Sequence, residues 1–206
     1  MPDFSHEKNC GNSGLVFGID EAGRGPWCGP VVAACVCFPN FEIDPTLAQQ
    51  INDSKKLSAT KREKLFPLIM NSSAYVGIGQ ASAQEIDNLN ILQATFLAMH
   101  RALDNASDKG YKADFALIDG NRLPKWEIPC QYLIKGDSLS LSIAAASIIA
   151  KVTRDHIMQE LAKEYPQYGW EKNAGYGTAD HIAALKQYGV TPHHRKTYKP
   201  IAELLK

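Results

Sequence analysis

The chain has 206 residues, 45% hydrophobic and 21% charged, a composition that is typical of a globular protein and excludes a disordered one. Lysine and arginine together number 22, as do aspartate and glutamate, so the net charge alone indicates no nucleic-acid partner. The longest apolar stretch, residues 143–150, is too short to span a bilayer. Five cysteines without a Cys-x-x-Cys pair fit neither a disulfide framework nor a zinc site. We therefore expect a soluble, cytoplasmic protein with reduced thiols.

The first half of the chain is predicted to hold three strands and two helices after a polar N-terminal segment. Residues 1–13 lack an apolar pattern and are predicted to form a flexible tail. Apolar, β-branched or alternating residues predict strands at 15–19, 31–38 and 74–81. The residue pattern predicts helices at 60–70 and 88–103. Thr60, with Glu63 three residues later, is the expected cap of the first helix.

The second half is richer in helix. Short apolar runs predict strands at 115–118 and 131–134, and helix propensity predicts helices at 140–165 and 179–188, the last ending near Gly189. Strands gathered early and helices concentrated late predict an α/β fold with a mixed sheet flanked by helices. Residues 14–165 are expected to form the core, and residues 166–206 a C-terminal helical extension packed on it.

Three of the predicted strands run into acidic residues. The first ends in Asp20 and Glu21, the strand at 115–118 in Asp119, and the strand at 131–134 leads to Asp137. If these strands are neighbours, four carboxylates converge at one edge of the sheet, where one or two divalent cations would neutralise them. Two such cations can support in-line displacement at phosphorus. The alternatives are solvated turns after the first two strands and a helix N-cap at Asp137.

A glycine-bracketed arginine, Gly23-Arg24-Gly25, follows the first carboxylates. Glycines let backbone amides approach a ligand closely, and Arg24 can meet phosphate or ribose oxygens. A metal site beside such a loop suggests phosphodiester chemistry. The dense basic segment that begins with Lys55 and Lys56 is either a solvated face or a phosphate contact.

Two motifs near the C-terminus each leave two interpretations open. Tyr176 stands between Gly175 and Gly177, and its ring could pack in the core or lie flat against a sugar or base. The most cationic run of the chain, residues 193–199, could hold a nucleic-acid backbone or form a solvated tail.

These motifs, in this order, resemble ribonuclease HII, the bacterial type 2 ribonuclease H. The matching segments are GIDEAGRGPWCGPVVAA, DSKKL, LIDGN, KGDSLSLSIAAASIIAKVTRD, YPQYGW, GYGT and HHRKTY. The resemblance implies a ribonuclease H-like fold with a C-terminal helical extension and a metal-dependent endonuclease. It also implies cleavage 5′ to ribonucleotides in RNA–DNA hybrids, and at single ribonucleotides in duplex DNA, to give 3′-hydroxyl and 5′-phosphate ends.

The resemblance also assigns roles to individual residues. It implies that Mn²⁺ or Mg²⁺ is held by the catalytic carboxylates Asp20, Glu21, Asp119 and Asp137. It implies that the 2′-hydroxyl is sensed by Gly23, Arg24 and Gly25, and that phosphate is contacted by Ser54, Lys55 and Lys56. The ring of Tyr176 is expected to stack on the sugar after the ribonucleotide. We expect a monomer without a membrane partner. A non-catalytic nucleic-acid-binding module and a metal-dependent phosphatase or nuclease with other substrates are the alternatives.

Overall fold

The computed structural model describes residues 1–10 and 14–206, and in that part of the chain one five-stranded sheet is flanked by helices. The strands are β1 (Val16–Ala22), β2 (Val31–Cys37), β3 (Tyr75–Ala81), β4 (Phe115–Asp119) and β5 (Cys130–Leu133). The helices are α1 (Ser5–Asn9), α2 (Pro45–Ala48), α3 (Ala59–Met70), α4 (Ala83–Leu89), α5 (Ile91–Asp108), α6 (Leu141–Glu164), α7 (Trp170–Asn173), α8 (Ala179–Tyr188) and α9 (Lys199–Ala202). No helix within these described ranges is both long and apolar enough to cross a membrane.

The sheet is mixed, with the strand order β3-β2-β1-β4-β5. β2 is antiparallel to both β1 and β3, whereas β4 and β5 run parallel to β1. The register pairs Ile19 with Ile118, which places the residues that follow them side by side at the same edge of the sheet. The predicted α/β fold, a mixed sheet flanked by helices, is confirmed.

The neighbouring strands β1 and β2 are largely buried on both faces, because α6 covers one face of the sheet and α5 the other. Successive side chains of a strand point to opposite faces, so on β2 Ala34 and Val36 pack in the cluster with α6, and Ala33 and Cys35 in the cluster with α5. α5 approaches very closely: a Cβ at Gly79 would lie 2.3 Å from the carbonyl oxygen of Ala98. Small residues on both elements therefore set the distance between helix and sheet.

Two helices begin at residues that differ from the prediction. The single helix predicted at 88–103 is divided between α4 and α5 at Asn90, whose φ of 69° interrupts the helix and whose side chain accepts the amide of Leu92. The cap expected at Thr60 is wrong, because Ser58 caps α3 by accepting the amide of Lys61. The spacing of apolar residues indicates which face of a helix is buried, but it does not indicate where a helix begins or is interrupted.

The N-terminal segment differs from the flexible tail predicted for residues 1–13. Residues 5–9 form α1, and Glu7 is fully buried. Its Oε1 accepts hydrogen bonds from the hydroxyl of Ser140 at 2.6 Å and the amide of Ser142 at 3.0 Å, at the start of α6. A carboxylate is favourable there because the N-terminus of a helix carries partial positive charge. Residues 11–13 of the predicted tail lie outside the described residues.

The C-terminal segment packs on the end of α6 and on the loop after β1. Trp170 and Leu185 share a buried cluster with Met158 of α6 and with Cys28, which lies between β1 and β2. Residues distant in sequence therefore meet behind the loop that follows the first carboxylates.

Candidate active site

Three aspartates from three different elements meet at one edge of the sheet. Asp20 lies on β1, Asp119 ends β4, and Asp137 lies in the 3₁₀ turn Gly136–Ser138 after β5. One carboxylate oxygen from each lies within 4.8 Å of the others. Asp119 is held in place by the amide of Gly136, which donates to its Oδ1 at 2.7 Å. The three strands that carry or precede these aspartates, β1, β4 and β5, are therefore neighbours in the sheet, as assumed from the sequence.

The cluster concentrates negative charge in a partly buried place. Burial, then the charges of Glu21 and Asp119, raise the pKa of Asp20 well above its usual range. Burial and the charge of Asp119 also raise the pKa of Asp137. Lys55 offsets part of this charge, since its Nζ lies 3.6 Å from Oδ2 of Asp137. Clustered carboxylate oxygens that repel one another are the donor set that a hard divalent cation satisfies.

Glu21 lies next to Asp20 in the chain and its charge helps to raise the pKa of Asp20, but it is not one of the three residues whose oxygens lie within 4.8 Å of one another. The Oε1 of Glu21 lies 3.4 Å from Nη1 of Arg24. Burial raises the pKa of Glu21 although Arg24 acts in the opposite direction. Glu21 therefore connects the carboxylates to the Gly-Arg-Gly loop (residues 23–25).

A groove of about 250 Å³, the active-site groove, brings most of the predicted site residues together. The predicted residues that line it are Asp20, Glu21, Gly23, Arg24, Gly25, Ser54, Lys55 and Tyr176. Arg62 of the basic segment lines it as well, together with two cations that the sequence did not indicate, Lys151 and Arg154. Lys56 points elsewhere, because its Nζ donates to the hydroxyl of Ser138 at 2.8 Å.

The basic segment beside the groove is held by hydrogen bonds rather than being a simple solvated face. Asp53 accepts the amide of Lys55 at 2.9 Å, and the amide of Ser54 donates to Oγ of Ser147 on α6 at 3.2 Å. Nη1 of Arg62 donates to the carbonyl oxygen of Ser54 at 2.9 Å. The backbone is thus fixed while the Lys55 side chain stays 80% exposed and accessible to a ligand.

Tyr176 lies at the surface of the groove and is 49% exposed, so the core-packing alternative is wrong. A Cβ built at Gly25 would lie 3.4 Å from its ring, which places the ring against the Gly-Arg-Gly loop. Gly175 has a φ of +81° and lies against the carbonyl of Cys28, where a Cβ would approach to 2.7 Å. The amide of Trp27 donates to the carbonyl oxygen of Gly175 at 2.8 Å, so the two loops are directly connected.

Arg154 on α6 is a functional candidate that sequence reasoning missed. Its buried guanidinium donates at 3.0 Å to the carbonyl oxygens of Pro30, Ala174 and Cys28. A Cβ at Gly23 would lie 2.1 Å from its Nε, so Gly23 is glycine partly because Arg154 fills that space. One sign of this role was present in the sequence, which is that Arg154 stands in a long predicted helix whose first half is largely apolar.

The terminal basic run fits neither interpretation as a whole. His194 and Arg195 are buried, at 1% and 0% exposure, whereas Lys196 and Lys199 are exposed. Nε2 of His194 lies 3.1 Å from Nε2 of His181, and Nδ1 of His181 lies 2.9 Å from the carbonyl oxygen of Tyr176. The two buried residues of this run therefore support the loops of the site from behind.

Comparisons with known proteins agree on one family. The family model for ribonuclease HII matches residues 17–201. Ribonuclease HII of Rhodospirillum rubrum is 55% identical over 206 residues, covering 100% of this chain and 92% of that protein. Ribonuclease HII of Paramagnetospirillum magneticum is 51% identical over 205 residues, covering 100% and 99%. The crystal structure of ribonuclease H2 from Pyrococcus horikoshii is similar with a TM-score of 0.72 at 30% identity, covering 92% of this chain and 96% of that one.

Proposed function

Because the chain belongs to the ribonuclease HII family and is a ribonuclease H endonuclease acting on RNA paired with DNA, we propose that it cuts on the 5′ side of ribonucleotides. The substrates are RNA–DNA hybrids and DNA duplexes with a single embedded ribonucleotide, and the products carry 3′-hydroxyl and 5′-phosphate ends. One observation carries the proposal: Asp20, which belongs to the cluster of three aspartates, lines the same groove as the Gly-Arg-Gly loop and Tyr176.

Enzymes of this family depend on divalent metal ions, and the donor set at the sheet edge fits such an ion. We propose that Mn²⁺ or Mg²⁺ is held by Asp20, Asp119 and Asp137, with Glu21 beside them. When bound, two such cations would activate water and stabilise the leaving oxygen of an in-line displacement at phosphorus. The raised pKa values of Asp20 and Asp137 support this assignment, because ionising these buried carboxylates together is unfavourable without a compensating cation.

The residues of the chain bind and orient the substrate around this cluster. The Gly-Arg-Gly loop distinguishes RNA from DNA by contacting the 2′-hydroxyl, the only group that differs between the two sugars. Lys55 contacts a phosphate beside the cluster, and the turn that includes Ser54 and Lys56 keeps that ammonium in reach. The exposed ring of Tyr176 stacks on the sugar that follows the ribonucleotide, and the adjacent Gly25 leaves room for it.

The other interpretations receive less support. A non-catalytic binding module would not need the carboxylates, yet Asp20, Asp119 and Asp137 converge. A phosphatase or nuclease with other substrates would not need a loop of backbone amides close to the ribose. That the enzyme acts as a cytoplasmic monomer stays a prediction.

The test is the cleavage of an end-labelled DNA duplex that carries one ribonucleotide, with Mg²⁺, Mn²⁺ or EDTA. The same duplex without the ribonucleotide, an all-RNA duplex and an RNA–DNA hybrid serve as comparisons. We expect a single metal-dependent cut on the 5′ side of the ribonucleotide and no cut in the all-DNA duplex. Cleavage of the all-DNA duplex, or a product with a cyclic phosphate, would contradict the proposal.

A further inference from the structure

Arg195, in the terminal basic run, is a fully buried arginine whose partners are all uncharged. Its N–H groups donate to the carbonyl oxygens of Gly23, Arg24 and Gly29 and to the hydroxyl of Tyr198. Five hydrogen bonds account for all five donors of the guanidinium. Within residues 1–10 and 14–206, none of the ion pairs includes Arg195.

The position of Arg195 is set by backbone pairing between the terminal run and the loop after β1. The amide of Arg195 donates to the carbonyl oxygen of Trp27 at 2.8 Å, and the amide of Gly29 donates to that of His193 at 2.9 Å. Tyr198 supports the same place, because its hydroxyl donates to the carbonyl oxygen of Arg24 at 2.7 Å. Two side chains thus bind one carbonyl of the Gly-Arg-Gly loop from the inner side.

This arrangement determines where the amides of the loop point. In a trans peptide the carbonyl of one residue and the N–H of the next point in opposite directions. Since the carbonyls of Gly23 and Arg24 point inward to Arg195, the N–H groups of Arg24 and Gly25 point outward. Arg24 and Gly25 are both exposed. Among the hydrogen bonds of the described residues, neither N–H has an acceptor in the chain.

We propose that Arg195 is a positioning residue for ribose recognition: by binding the carbonyls of Gly23 and Arg24, it orients the N–H groups of Arg24 and Gly25 toward the 2′-hydroxyl of the substrate. The inference rests on the proposed function, since it explains how the Gly-Arg-Gly loop distinguishes RNA from DNA. A guanidinium suits the task because its planar fork binds several carbonyls at fixed angles. Lysine would keep the charge and lose most of these hydrogen bonds.

The test compares binding with and without the 2′-hydroxyl. On an Asp20→Asn background, which prevents cleavage, the Kd is measured in Mg²⁺ for a DNA duplex with one ribonucleotide and for the same duplex entirely of DNA. The readout is the Kd for the all-DNA duplex divided by the Kd for the duplex with one ribonucleotide. We expect Arg195→Lys to reduce this ratio by about fivefold or more, the factor associated with one lost hydrogen bond. Tyr198→Phe, which removes one hydroxyl, is expected to reduce it by about twofold or more.

A matched control separates positioning from loss of stability. Ile201→Val alters a fully buried residue of the same C-terminal segment, and it should lower the Tm without changing the ratio. An unchanged ratio in both Arg195→Lys and Tyr198→Phe would overturn the inference while leaving the proposed function intact. If Arg195→Lys does not fold, Tyr198→Phe decides alone. A parent protein that binds the two duplexes equally would instead overturn ribose recognition by the loop, and this inference with it.

Discussion

Substituting Gly23 by alanine tests whether the Gly-Arg-Gly loop depends on the buried arginine behind it. Gly23 has a φ of +98°, and the new Cβ would lie 2.1 Å from Nε and 2.4 Å from Cδ of Arg154. Arg154 cannot move away freely, because three carbonyl oxygens hold its guanidinium at 3.0 Å. The substitution must therefore distort the loop, displace the guanidinium, or both.

The expected cost has two parts. A positive φ at a residue with a side chain costs about 1–2 kcal/mol. Losing one hydrogen bond from the Arg154 guanidinium costs about 1.5–3 kcal/mol more. The free energy of unfolding should then fall by roughly 2.5–5 kcal/mol, which for a chain of this size lowers the Tm by roughly 5–20 °C. Cleavage at a single embedded ribonucleotide should fall by about tenfold or more, since a displacement near 1 Å in a site can cost more than that.

Gly110→Ala is the matched control. Gly110 also has a positive φ, +90°, but no atom lies within 4 Å of the point that a Cβ would occupy, so only the backbone cost of about 1–2 kcal/mol applies. Thermal unfolding by circular dichroism and cleavage at 25 °C are measured for both variants. If Gly23→Ala loses no more stability than Gly110→Ala and cleaves like the unsubstituted enzyme, the argument from Arg154 is refuted.

Three further predictions concern the carboxylates, the aromatic ring and the buried histidines. Asp20→Asn and Asp119→Asn should each abolish cleavage, and activity near the original rate in either variant would contradict the assignment. Asp20→Asn should not lower the Tm in EDTA, because the amide replaces a buried charge that the neighbouring carboxylates repel. Tyr176→Ala should reduce cleavage at a single ribonucleotide more than cleavage within long RNA tracts, and equal losses on both substrates would reject its selective role. Burial, then the charge of His181, lower the pKa of His194 from 6.5 to about 4, so its contribution to stability is present above pH 6.5 and is lost as the pH falls toward 4. Urea unfolding should show a loss of up to about 3 kcal/mol over that interval, much reduced in His194→Asn; identical pH profiles would contradict the shift.

Much of the candidate site followed from local sequence. Asp20 and Asp119 each come directly after an apolar run, and parallel neighbouring strands end at the same edge of a sheet, so their meeting required only that β1 and β4 be neighbours. The end of α8 near Gly189 was similarly local, because glycine commonly ends helices. Glu21 shows the limit of this reasoning, since its position next to Asp20 in the chain did not bring it into the group of three aspartates.

The residues that support the site could not be predicted in this way. Arg195 binds the carbonyl of Arg24, a residue 171 positions earlier in the chain, and Glu7 binds Ser140, 133 positions later. Both lie in polar stretches whose composition is also that of a solvated tail, so nothing near them in sequence indicates burial.

The sequence by itself determined the five strands, the helices α3, α6 and α8, the acidic strand ends, the glycine-bracketed loop and the family, because each depends on residues close together in the chain. Only the tertiary structure decided which strands are neighbours, that α6 and the terminal run lie behind the Gly-Arg-Gly loop, and which cations are buried. The physical reason is that a buried charge is tolerated only where the fold supplies enough dipoles to bind it. For Arg154 and Arg195 those dipoles are carbonyls of distant loops, and their positions exist only once the chain has folded.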